Sequence, residues 1–201
     1  MLINIADAAP VICDFSGIVT GVSDNLDVLP DAIIMGTSTI AGSFEYDTDA
    51  PSEGLWSGEY PYYKMKSFEI IIDNIHQWNA LEPDIVVANA SRPYDWDGMK
   101  IAKYGIYGTF PYVADPNIRC EMDMHFEDST GTALDSSALP TSISLSDWES
   151  VFCDLTAEGT YRIHGEITAL EPRTVPVPGA AYMLGSGLLG LIGLRKKLEY
   201  K

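Results

Sequence analysis

The residues best suited to chemistry are few: three cysteines (Cys13, Cys120, Cys153) and three histidines (His76, His125, His164). Zinc modules need paired Cys-x-x-Cys ligands, and zincins need His-Glu-x-x-His on one helical turn. Neither spacing occurs. There is no serine nucleophile elbow and no P-loop. Carboxylates are so numerous that no glycosidase pair stands out among them. No catalytic constellation emerges, so the chain reads as a non-enzyme without a cofactor of its own.

Three weaker groupings remain. Asp123, His125 and Glu127 alternate along one segment and would share a strand face. Same-face neighbours on a strand lie about 7 Å apart, too far to grip one ion without a partner strand. The face therefore reads as solvated, with no metal. Asp24, Asp27 and Asp31, then Asp47 and Asp49, then Asp95 and Asp97, gather oxygen ligands of the kind calcium prefers. None has the EF-hand spacing, and the turn-forming habit of Asp explains them equally well. Trp56, Tyr60, Tyr62 and Tyr63, and separately Tyr94 and Trp96, could stack on sugar rings, with an exopolysaccharide as the partner. Packing within strands and turns is the alternative.

These residues need elements to position them. Prolines at 30, 51, 61, 83, 93, 111, 116 and 140 leave intervals that suit strands better than helices. Cys120 to Glu127 alternates strictly, with Cys120, Met122, Met124 and Phe126 inward. Ser67 to Asp73 turns Phe68, Ile70 and Ile72 inward. Tyr161 to Leu170 turns Tyr161, Ile163 and Ile167 inward and Arg162, His164, Glu166 and Thr168 outward. Further strand segments are expected at Ala32–Asp47, Tyr62–Asp73, Asp84–Asn89, Met99–Phe110 and Val151–Leu155. Ser146 and Glu149 fit a capping box for one helical turn. Phe15–Val22 and Ile163–Leu170 share the pattern apolar-x-Gly-x-apolar-Thr-x-apolar. That implies one sheet environment, with a glycine at a bulge or close approach in each. The expected fold is an all-β antiparallel sandwich. Cys120 and Cys153 would point inward on two of its strands. If those strands are neighbours they could form a disulfide in an oxidising compartment. Buried thiols, or a Cys13–Cys153 pairing, are the alternatives.

Asp and Glu number 29 against 12 Lys and Arg, a net charge of -17, which repels phosphate backbones and argues against nucleic-acid binding. The imbalance is not uniform. Residues 1–174 carry a net -20, and residues 175–201 carry +3. Gly179–Leu194 is free of charge over 16 residues and is followed at once by Arg195, Lys196 and Lys197. As a helix it would span about 24 Å, a short membrane crossing that basic side chains can extend by snorkelling. The positive-inside rule keeps the basic end cytoplasmic and the acidic body outside.

The run Val175-Pro176-Val177-Pro178-Gly179, the glycine-rich apolar segment and the basic cluster together resemble the PEP-CTERM sorting signal, closest to its VPLPA-CTERM variant. Val177 and Gly179 stand where that variant has Leu and Ala, and no Glu lies between the prolines. Parts of the body, Phe15–Thr20, Gly36–Asp47, Asp128–Leu134 and Gly165–Thr168, loosely resemble PEP-CTERM ectodomains. The resemblance implies a surface or extracellular-matrix protein of a Gram-negative bacterium, of the biofilm kind. It would be anchored transiently in the inner membrane and processed by an exosortase. Export also needs an N-terminal signal. Met1–Ile5 is too short for one, but Ala6-Asp7-Ala8 resembles a cleavage site, so the mature chain is expected to begin near Ala9. The expected organisation is a residual signal region at 1–10, the β-sandwich ectodomain at 11–171 and the Pro-rich motif at 172–178. A transmembrane helix at 179–194 and a cytoplasmic tail at 195–201 complete it.

Overall fold

A computed structural model describes residues 10–173, except 30, 57–59, 81, 90–96, 105, 109–119 and 158. The expected sorting motif (Val175 to Gly179), the apolar segment after it, the basic cluster and the expected Ala6–Ala8 cleavage site lie outside the described residues, as do Tyr94, Asp95 and Trp96. The described chain is all-β. Its strands are β1 (Pro10–Asp24), β2 (Thr39–Asp47), β3 (Ser52–Trp56), β4 (Tyr60–Lys64), β5 (Ser67–Ile72), β6 (His76–Ala80), β7 (Asp84–Ala88), β8 (Asp97–Tyr104), β9 (Ile106–Gly108), β10 (Cys120–Asp128), β11 (Ser150–Ala157) and β12 (Tyr161–Arg173). They join in one antiparallel sheet, ordered β3-β4-β7-β8-β10-β11-β12-β1-β2-β5-β6-β9.

Alternation decides which face is buried. In β10, Met122, Met124 and Phe126 are buried, and so are Phe68, Ile70 and Ile72 in β5 and Tyr161, Ile163 and Ile167 in β12. The sheet curls so that distant strands share this interior. Phe44 of β2 meets Phe126 of β10 edge-on at 6.1 Å, although β11, β12 and β1 separate the two strands in the sheet. Phe15 and Tyr46 flank Phe44, and Trp148 covers Phe126 at 5.4 Å. Removing a ring from such a cluster typically costs about 3–5 kcal/mol.

The two rhyming segments are neighbours. β1 pairs with β12, Phe15 opposite Leu170, with irregularities between Ser16 and Gly17 and between Val19 and Gly21. A Cβ on Gly17 would run into the carbonyl of Glu166. One on Gly165 would lie 3.0 Å from Ile40 Cδ1. Both glycines therefore mark close approaches, as their shared pattern suggested.

Several boundaries differ from expectation. Ala32–Asp47 is not one strand, because a turn through Ser38 precedes Thr39; the Ser38 hydroxyl accepts from Ile34 N–H at 2.8 Å. Tyr62–Asp73 is two strands, parted where Met65 and Lys66 donate to Pro83 and Glu45 carbonyls. The turn at Leu145–Asp147 is 3-10, with Ser144 at its N-cap and no side-chain cap. The capping box does not form; Glu149 instead accepts from Ser129 N–H at 3.2 Å.

The long connection from Ser129 to Glu149 closes over the interior. Leu134, Leu139, Ile143 and Trp148 are buried beneath it. Tyr46 Oη donates to Pro140 O (2.7 Å), Tyr63 Oη to Ser137 O (2.8 Å) and Asn89 Nδ2 to Leu134 O (2.7 Å). Asp128 holds its start, accepting from Thr130, Thr132 and Ala133 N–H and from both threonine hydroxyls. Those bonds, the Thr130 hydroxyl first, keep its carboxyl far below the usual range.

Candidate functional site

Among the described residues, a group of ionisable side chains lies on the outward face of β10, β11 and β12. Strand register assembles it: Asp123 stands opposite Asp154, Asp154 opposite His164, and His125 opposite Phe152. Outward alternation alone would leave these groups in water. Asp123 and Asp154 are nevertheless only 7% exposed. The reading of Asp123, His125 and Glu127 as a simply solvated face is corrected here for Asp123.

Asp154 organises the group. Arg162 grips it with both Nε (3.0 Å) and Nη2 (3.2 Å), and His164 Nδ1 lies 3.0 Å from its Oδ1. Burial pushes the carboxyl pKa up, but the bonds from Arg162 and His164 outweigh burial and hold it below the usual value. The Phe152 ring lies between two imidazoles. His125 stacks on it at 4.7 Å, nearly parallel, and His164 tilts against it at 5.2 Å. His125 Nε2 lies 4.0 Å from Asp123 Oδ2.

An imidazole fixed at Nδ1 by a carboxylate is the arrangement of a general base. Here His164 Nε2 has no hydrogen-bonding partner among the described residues. The surrounding face is a sheet surface, and no nucleophilic side chain is seen at that nitrogen among the described residues. Among the described residues no three His, Cys, Asp or Glu side chains gather closely enough to hold a metal ion. The bidentate Arg162–Asp154 pair and the His125–Phe152–His164 row link β10, β11 and β12 across the sheet. Sequence reading placed these side chains outward but missed Asp154 and Phe152. Their signal was the alternation Ser150, Phe152, Asp154, Thr156 beside the outward residues of β10.

The other expected sites resolve individually. β10 and β11 are neighbours, as a disulfide would need. Their register, however, sets Cys153 opposite Met124 and Cys120 opposite Ala157. The two cysteines are thus four residues out of step, roughly 13 Å along the strand, beyond the reach of a disulfide. The Cys120–Cys153 pairing is overturned, and Cys153 and Cys13 are both free and buried. Cys13 belongs to the opposite end of β1, opposite Pro172. Burial pushes the Cys13 thiol up to about 11 and raises Cys153 further. Of the acidic clusters, Asp24 accepts from Val28 and Leu29 N–H (3.0 and 2.6 Å), and Asp27 is in the left-handed region at φ 55°. Asp47 pairs with Lys66 at 2.7 Å. The aromatic group divides: Tyr63 is buried, whereas Trp56 is 49% exposed and packs beside Tyr60.

Comparison with known proteins gives no match: no family model, no curated protein and no solved structure is similar to this chain.

Proposed function

We propose that the chain is an exported, non-enzymatic β-sandwich protein, delivered to the cell surface or extracellular matrix by its C-terminal segment. One observation carries this reading: a Pro-x-Pro motif, a charge-free 16-residue run and a basic cluster follow one another without interruption. The charge contrast between the two sides of that run supports the orientation, acidic body outside and basic end inside. The edge-on contact of Phe44 and Phe126, from strands with three others between them in the sheet, supports two packed layers. β12 runs to Arg173, two residues before Val175, so the motif follows the folded body directly in the chain.

The apolar run would halt translocation, and the basic cluster would fix its orientation. The residues preceding Pro176 and Pro178 favour extended backbone, the form a processing enzyme needs to reach it. An exosortase-type enzyme would then cut near the motif and release or transfer the body. Intact mass spectrometry of protein recovered from its native surface or medium tests this. Loss of everything beyond about Val175 is the expected result. An uncut tail in the membrane fraction would overturn it and make Gly179–Leu194 a permanent anchor.

A further inference from the structure

The hairpin of β3 and β4 forms one edge of the sheet. Its register pairs Gly54 with Tyr62, Leu55 with Pro61 and Trp56 with Tyr60. Directly opposed residues in an antiparallel pair share a face, and alternate residues along a strand do too. Trp56, Tyr60 and Tyr62 therefore lie on the same face, and Tyr63 on the other. The same register carries that face inward: Tyr62 stands opposite Val86 and Lys64 opposite Asp84 on β7. Tyr63 and Ile85, on the core side, are buried. The outer face thus presents three aromatic side chains in a row, ending at the Lys64–Asp84 ion pair (2.7 Å).

Two details make this row a surface rather than a core fragment. Trp56 is 49% exposed, and the indole meets Tyr60 at 6.3 Å and 32°, so the two rings lean together without covering each other. Gly54 contributes no side chain, and the Tyr62 ring leans into the room it leaves, with Cε1 3.2 Å from where a Cβ would sit. The result is an aromatic strip on the end strand pair, and among the described residues no further strand pairs with β3.

We infer that this strip binds a neutral polysaccharide. The C–H face of a pyranose carries partial positive charge and meets the negative face of an aromatic ring, while its hydroxyls need hydrogen-bonding groups at the rim. Trp56, Tyr60 and Tyr62 supply the rings. The tyrosine hydroxyls, the Lys64 ammonium and the Asp84 carboxylate supply the rim. The net charge of -17 repels polyanions, so the chemistry favours an uncharged glycan. This gives the proposed surface protein a matrix partner, but its test is independent of how the tail is processed.

The test is calorimetric titration of the full chain, held in a detergent without a sugar headgroup. The probes are cellohexaose, laminarihexaose and mannohexaose, with polygalacturonate as the anionic contrast. At least one neutral hexasaccharide should bind and polygalacturonate should not. Trp56→Ala and Tyr60→Ala should each weaken binding about tenfold or more. Trp56→Ala should leave the thermal midpoint unchanged, because Trp56 is outside the core. The proposal is overturned if no neutral probe binds, if polygalacturonate binds as well as they do, or if Trp56→Ala binds as tightly as wild type. It is also overturned if sedimentation shows a dimer that Trp56→Ala dissolves, since the strip would then seat a second copy. None of these failures touches the sorting proposal, which is read from the mass of the tail.

Discussion

The Glu166 carbonyl, next to Gly17's cross-strand partner Ile167 in the β1–β12 pair, occupies the place of a Gly17 side chain. The neighbouring irregularity lets a backbone this near remain in the sheet. Gly17→Ala must therefore push the two strands apart. The expected loss is about 1–3 kcal/mol, seen as a lower urea midpoint at constant slope. An unchanged midpoint would show that the close approach is not part of the folded protein.

Acid should weaken the fold through Asp154 and Asp128, whose carboxyls are held below the ordinary value of 3.8 in the folded chain. The unfolded chain takes up those protons first as pH falls. Their stabilisation is thus complete above the unfolded value and is lost as pH drops toward the folded ones. Urea midpoints measured from about pH 6 down to about pH 3 should fall, and Asp154→Asn should flatten part of that slope. A slope unchanged in Asp154→Asn would mean that Arg162 and His164 do not hold this carboxylate in solution.

Thiol chemistry distinguishes the register from the expected disulfide. Cys13 and Cys153 are each 1% exposed, with thiol pKa values raised by burial. Maleimide should leave both unmodified in the folded protein and label both in urea. Non-reducing peptide mapping should recover Cys153 as a thiol. A peptide joining Cys153 to Cys120 would contradict the β10–β11 register.

Thr160 is 1% exposed, and its hydroxyl has no partner among the described residues. Valine keeps the shape and removes the unsatisfied group. Thr160→Val should be neutral or stabilising by up to about 1 kcal/mol, read as an increased midpoint. A clear loss of stability would reveal a partner for the hydroxyl.

The cover from Ser129 to Glu149 hangs on a few polar contacts. Tyr46→Phe removes the bond to Pro140 and should cost about 0.5–1.5 kcal/mol. Asp128→Ala removes the acceptor for five donors, so limited proteolysis should cut between Ser129 and Ser136 much faster than in wild type. Equal cutting rates would mean the cover is held without Asp128.

Much of this fold was legible because burial imposes a period of two. Met122, Met124 and Phe126, and Phe68, Ile70 and Ile72, state their facing in the residue types alone. Ser52–Trp56 and His76–Ala80 were missed because short, polar segments carry too few apolar positions to show a period. Register was the deeper gap. Alternation says that Cys120 and Cys153 share a side, but it cannot say that Met124, not Cys120, stands opposite Cys153. The clamp on Asp154 depends on the same hidden offset, since Arg162 and His164 reach it only from a strand aligned as β12 is. The aromatic group shows the same limit, because Tyr62 and Tyr63 are adjacent in sequence yet lie on opposite faces.

The position of β12 has a consequence for the order in which the molecule can form. It lies between β11 and β1, so in the pairing order of the described strands it links the six on one side to the five on the other. Until Tyr161–Arg173 has left the ribosome, both halves expose an unpaired strand at the seam. The last strand described in the chain is thus a keystone. The nascent chain has to wait for it with two open edges, and the interior shared by Phe44 and Phe126 can close only when it arrives.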